Sequence, residues 1–89
     1  MIEKELLIIN QHGLHARPAA KLVKLASQFK SDVYFIYQGS KINAKSIMGI
    51  MMLAVEKGAK IAVQINGEDE EKLMRAIENL LNSGFEELV

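Results

Sequence analysis

The spacing of hydrophobic and polar positions changes several times along the chain, and each change marks an element. Leu6-Leu7-Ile8-Ile9 is an apolar run too short for a helix and rich in branched residues, which predicts a buried strand. Asn10-Gln11-His12-Gly13 closes it with turn chemistry. From Ala16 onward, Ala19, Leu22, Val23, Ala26 and Phe29 recur at helical spacing and predict an amphipathic helix. Val33 to Tyr37 is β-branched and aromatic, as a strand is. Gln38-Gly39 turns it into Lys41-Ile42-Asn43, and the pair reads as a hairpin. Ser46 stands where a helix N-cap belongs, ahead of the apolar stretch 47–53, a short helix that Gly58 is expected to end. Ile61, Val63 and Ile65 alternate with Ala62 and Gln64, a half-buried strand broken by Asn66-Gly67. Glu68, Asp69, Glu70 and Glu71 load the first turn of a last helix with charge that its dipole favours. Leu73, Met74, Ile77, Leu80 and Leu81 form that helix's apolar face, and Gly84 suits the position just past its end.

The predicted order is β-α-β-β-α-β-α. Each helix has a single apolar face, so the economical packing is a four-stranded sheet with three helices on one side, an α+β fold. The 89 residues suffice for one domain, expected to span 1–89. A core this small leaves little chain for a deep pocket, which favours a surface site over stand-alone catalysis.

Composition narrows the class further. Eleven basic residues balance eleven acidic ones, which argues against direct nucleic-acid binding. The absence of Cys excludes disulfide scaffolds and thiolate metal sites. No apolar run approaches the ~20 residues of a membrane span. Met1-Ile2-Glu3-Lys4-Glu5 lacks the layout of a signal peptide, so a cytoplasmic location without membrane insertion is expected.

The segment Gly13-Leu14-His15-Ala16-Arg17-Pro18-Ala19-Ala20 carries the chemistry. A helix starting near Ala16 puts His15 at the N-cap, where Ser, Thr, Asp or Asn would normally satisfy the first backbone N–H groups. Pro18 falls in the first turn, where its missing N–H costs nothing. Unsatisfied donors, the positive end of a helix dipole and a guanidinium thus surround one imidazole, an arrangement suited to a phosphoryl group. The backbone N–H groups of Ala16 and Arg17 would meet its charge, and Arg17 would add charge-assisted hydrogen bonds. The competing reading is a surface histidine in a loop whose proline and arginine serve local structure. His12 and His15 also form a His-x-x-His pair, but a zinc site needs two more ligands and the loop holds no Asp or Glu. No metal or cofactor is therefore assigned.

Ser46 reads in two ways, as a helix cap and as a phosphorylation site favoured by the helix dipole, and the two are compatible. Gly49 stands where a capping box would need Glu or Gln. The stretch 47–53 has too little polar surface for a half-buried helix. Ile50 and Leu53 are expected in the core; Ile47, Met48 and Met51 are expected at the surface as a partner-binding face.

Two motifs, Gly13-Leu14-His15-Ala16-Arg17-Pro18-Ala19 and Asn43-Ala44-Lys45-Ser46-Ile47-Met48-Gly49-Ile50-Met51, occur together at this separation. In them, and in length and element order, the chain resembles the histidine-containing phosphocarrier protein (HPr) family of the bacterial phosphoenolpyruvate-dependent phosphotransferase system. The resemblance implies an open-faced β-sandwich with an antiparallel sheet, in a monomer. It implies that His15 takes a phosphoryl group on Nδ1 from phosphorylated enzyme I and passes it to a IIA component, with Arg17 as phosphate partner. It also implies Ser46 as target of an HPr kinase/phosphorylase, and a docking face of Ile47, Met48 and Met51 with Ala20 and Lys24, a transcriptional regulator being a further possible partner. Two features depart from the pattern. His12 replaces a small polar residue, so that a second imidazole stands near His15. Met52-Leu53 and the ending Asn82-Ser83-Gly84-Phe85-Glu86-Glu87 look more like the nitrogen-related branch, which serves regulation rather than sugar uptake. A regulatory adaptor and a small enzyme or metal-binding domain using His12 and His15 are the alternative functions.

Overall fold

The computed structural model describes residues 1–86. Strand β1 (Ile2–Leu7) leads through a loop to α1 (Ala16–Ala26), followed by β2 (Asp32–Tyr37), β3 (Ser40–Asn43), α2 (Ile47–Met52), β4 (Lys60–Asn66) and α3 (Glu70–Asn82). A final 3₁₀ turn covers Gly84–Glu86. The strands form one sheet in the order β1-β4-β2-β3, and every neighbouring pair is antiparallel. Val33, Phe35, Ile61, Val63 and Ile65 are buried on the sheet, together with Leu22, Ile50, Leu73 and Ile77 from the helices. On the strands the burial alternates: in β4 the intervening Ala62 and Gln64 are only half-buried. The α+β fold of four strands and three helices read from the pattern, and the antiparallel open-faced sandwich that the resemblance implies, are both the observed fold.

Three boundaries differ from the expectation, each for a physical reason. The first strand lies at Ile2–Leu7 rather than at 6–9. Its inward positions are Ile2, Lys4, Leu6 and then Ile8, and Lys4 interrupts the apolar pattern while its Nζ donates to Glu78 of α3 at 2.9 Å. Of the apolar run only Ile8 is fully buried; Leu7 and Ile9 are 45% and 38% exposed. The second helix stops at Met52, because Ala54 takes a left-handed φ of 51°; Gly58 lies beyond it, in the turn entering β4.

The third difference concerns the acidic cluster. The last helix begins at Glu70, and Asp69 at its N-cap makes no capping bond. Its carboxylate instead accepts from the backbone N–H groups of Lys30 and Ser31, each at 2.9 Å, and from the Ser31 hydroxyl. Glu68 lies before the helix and pairs with Lys30 at 3.3 Å. Asp69 thus ties the start of α3 to the α1–β2 connection. The Ser31 hydroxyl first, then the Lys30 N–H, hold its carboxyl down at about 2 against an ordinary 3.8. A lowered carboxyl pKa stabilises the fold fully above its unfolded value and stops doing so as pH falls through the folded one. Wild type should therefore lose melting temperature between about pH 4 and pH 2 in a step that Asp69→Asn lacks. Parallel melting curves of the two proteins across that window would remove Asp69 as a pH-sensitive tie.

The hairpin β2–β3 matches the reading closely. Tyr37 faces Ser40, and the two turn residues Gln38 and Gly39 both take positive φ, 50° and 82°. That is the geometry whose twist suits two antiparallel strands.

Candidate functional site

The loop from β1 to α1 is held at three points. Asn10, itself buried, donates its side-chain amide to the Gly13 carbonyl at 2.6 Å, and Gly13 N–H returns to the Asn10 carbonyl at 3.2 Å. Leu14 N–H donates to the Val55 carbonyl at 2.9 Å and its side chain is buried in the core. Gly13 has a φ of +66°, and a Cβ there would lie 2.1 Å from the Val55 carbonyl oxygen. The loop therefore sits directly on the segment after α2, and only glycine permits that approach.

His15 follows as the N-cap of α1, with an extended backbone and no capping hydrogen bond from its side chain. Its carbonyl accepts the first helical hydrogen bond, from Ala19 N–H at 3.0 Å, while the imidazole makes no capping bond. Pro18 has no N–H to give, which leaves the helix's first-turn donors at Ala16 and Arg17. No acidic residue lies in that turn. Ala16 and Arg17 are exposed, His15 is half-buried, and its Nε2 is turned into the protein. The imidazole of His12, an exposed residue, meets that of His15 edge to face, with centroids 5.8 Å apart and planes at 75°. Among the described residues no three His, Asp or Glu side chains gather as metal ligands would.

Ser46 caps α2, its Oγ accepting from Gly49 N–H at 3.0 Å. The missing capping box has a steric cause: a Cβ on Gly49 would lie 2.4 Å from Ile42 Cγ2 of β3. Glycine lets α2 settle onto the sheet. Ile50 and Leu53 are buried as expected, and Ile47, Met48 and Met51 are exposed. Met52, at 75%, is as exposed as Met48 at 73%, and the pattern did not single it out. Ala20 and Lys24 are exposed on α1, which packs against α2.

The supports of the loop, Asn10, Gly13 and Val55, are what sequence reasoning missed. Asn10 and Gly13 signal a turn, but nothing local signals that the turn lands on Val55. Lys21, whose Nζ donates to the Phe85 carbonyl at 2.7 Å, likewise ties α1 to the turn after α3. Of the distinctive ending, Phe85 is fully buried and takes a left-handed φ of 59°, while Glu87 lies outside the described residues.

An antiparallel open-faced sandwich with a histidine at the N-cap of its first helix, making no side-chain capping bond, defines the HPr-like class of small domains. The family model "PTS HPr component phosphorylation site" matches residues 2–83. A phosphocarrier protein HPr of Xylella fastidiosa is 47% identical over 87 residues, covering 98% of each chain. The crystal structure of HPr-C-His from Thermoanaerobacter tengcongensis superposes with a TM-score of 0.95 at 44% identity, covering all of both chains. The chain belongs to the HPr family of phosphocarrier proteins of the phosphotransferase system. The expectation of a monomer does not carry over with it: a structure described as an HPr dimer from T. tengcongensis is similar at 45% identity and TM-score 0.77, over 96% of this chain and 98% of that one.

Proposed function

We propose that this chain, as one domain over 1–89, is a phosphoryl carrier that acts in the cytoplasm and is not a stand-alone enzyme. His15 accepts the group from phosphorylated enzyme I and delivers it to a IIA component. The observation that carries this reading is the imidazole at the uncapped start of α1. Burial of Nε2 favours Nδ1 as the acceptor. The Nδ1 lone pair forms a new N–P bond as the donor's bond to phosphorus breaks and its electron pair returns to the donor atom. The phosphoryl charge then meets the N–H groups of Ala16 and Arg17 and the Arg17 guanidinium. Delivery to IIA is the same displacement in reverse.

The test is incubation with enzyme I and phosphoenolpyruvate, which should load one acid-labile, alkali-stable phosphate per chain. Loading of none would remove the carrier role. Adding sugar-specific or nitrogen-related IIA proteins separately then distinguishes uptake from regulation by which one drains the label.

Arg17→Lys should slow transfer roughly tenfold while changing stability by less than about 0.5 kcal/mol. A guanidinium presents a fork to phosphate oxygens, whereas an ammonium is a point charge, and exposed substitutions seldom cost more. Equal transfer rates for the two proteins would take Arg17 out of the active centre.

Ser46 is the regulatory position in this reading, phosphorylated by an HPr kinase/phosphorylase. Phosphorylation adds about −1.5 to −2 charge at the start of α2, where the helix dipole receives it. The cost falls on docking. Ile47, Met48 and Met51, with Ala20 and Lys24, form the face for enzyme I, IIA and a transcriptional regulator, and apolar partners there must desolvate the new charge. Ser46→Ala should lose about 1 kcal/mol of stability and keep the rate of His15 phosphorylation. Ser46→Asp should keep stability and slow the rate. Wild-type rates for both would leave Ser46 a helix cap alone.

A further inference from the structure

The edge-to-face contact between His12 and His15 is used by nothing described so far. His12 is an exposed residue of a loop pinned by the Asn10–Gly13 and Leu14–Val55 hydrogen bonds, so its backbone is held while its ring stands at the surface against that of His15. With centroids 5.8 Å apart, a phosphoryl group on one ring lies within reach of an N–H on the other. The loop offers no carboxylate to compete for that N–H.

We propose that His12 is a positioning residue for the phosphorylated state, donating an imidazole N–H to the phosphoryl oxygens carried by His15. This rests on His15 being the acceptor. The helix start then supplies donors from one side, at Ala16 and Arg17, and His12 supplies one from the loop. The other charged groups around the loop are the Arg17 guanidinium on α1, and Glu56 and Lys57 on the segment beneath Gly13. Glu56 and Lys57 are both exposed, so solvent and salt screen their charges. A donor beside the phosphoryl group binds its dianion more tightly than its monoanion, so the last phosphoryl proton leaves at lower pH.

The experiment phosphorylates the whole chain chemically with phosphoramidate, without enzyme I, and follows the phosphohistidine ³¹P resonance against pH. Wild type is compared with His12→Phe, which keeps an aromatic ring and removes the donor, and His12→Gln, which keeps an N–H donor. A His15→Ala control identifies any signal from His12 itself. The phosphoryl titration of His12→Phe should move up by roughly half to one pH unit, a fraction of one hydrogen bond to a charged group, because the monoanion also accepts that bond. His12→Gln should move most of the way back. An unchanged midpoint in His12→Phe overturns the proposal, and so does an equal displacement in both variants. If enzyme I fails to load wild type while these shifts appear, the carrier reading falls and the role of His12 stands.

Discussion

His15→Ala will take up no phosphoryl group from phosphorylated enzyme I, while His12→Ala will still be loaded. Alanine has no lone pair to offer phosphorus, so the loss is of the nucleophile itself and not of a fraction of its rate. The neighbouring imidazole makes this a real choice, because the two rings touch and a careless assignment would name either. The backbone decides between them. His15 is the N-cap residue, so a phosphoryl group on it meets the Ala16 and Arg17 N–H groups directly, whereas His12 lies in the loop three residues earlier. The fold should persist in His15→Ala, since the His15 carbonyl accepts the first helical hydrogen bond whatever its side chain and that side chain makes no capping bond. Stability should change by less than about 1 kcal/mol. The measurement is stoichiometric phosphate incorporation, with circular dichroism on the same samples. Incorporation into His15→Ala but not into His12→Ala would reverse the assignment.

The difference between these two histidines shows where the sequence is informative. That His15 begins a helix is legible because the apolar period of 3.6 starts right after it and Pro18 is tolerated only in a first turn. The exposure of Ile47, Met48 and Met51 is legible because six residues of helix cannot all face one sheet. The β2–β3 hairpin is legible because Gln38-Gly39 has local turn chemistry. Errors arose where a long-range partner overrides the local pattern. Lys4 hides the first strand because its charge is answered by Glu78, some seventy residues later. Asp69 reads as one more first-turn charge on the last helix until Lys30 and Ser31 claim its oxygens. The ring contact of His12 with His15 depends on how the loop folds back, which the spacing permits but does not require.

Gly13→Ala should be among the most damaging single-methyl changes in the chain. Two costs combine. A left-handed φ of +66° costs a residue with a Cβ about 1–2 kcal/mol. The Cβ would also stand 2.1 Å from the Val55 carbonyl oxygen and 2.9 Å from Glu56 Cα, both backbone atoms that no rotamer change can move aside. The loop must lift, and the hydrogen bond from Leu14 N–H to that same carbonyl, now 2.9 Å, goes with it. Together these should reach roughly 3 kcal/mol, a large share of the ~5–15 kcal/mol that holds a small domain together. For a chain of this length the melting temperature should fall by about 12–24 °C. Gly39→Ala separates the two costs. Gly39 has φ +82°, yet nothing lies within 4 Å of a Cβ placed there, so only the conformational cost applies. Its melting temperature should fall by about 4–8 °C for each kcal/mol of that cost. The consequences for transfer should differ as well. Lifting the loop carries the N-cap residue away from the first-turn donors, so Gly13→Ala should be phosphorylated more slowly than Gly39→Ala even at temperatures where both are folded. Equal stability losses in the two variants would mean that the loop does not rest on Val55, and equal transfer rates would mean that this rest does not position His15.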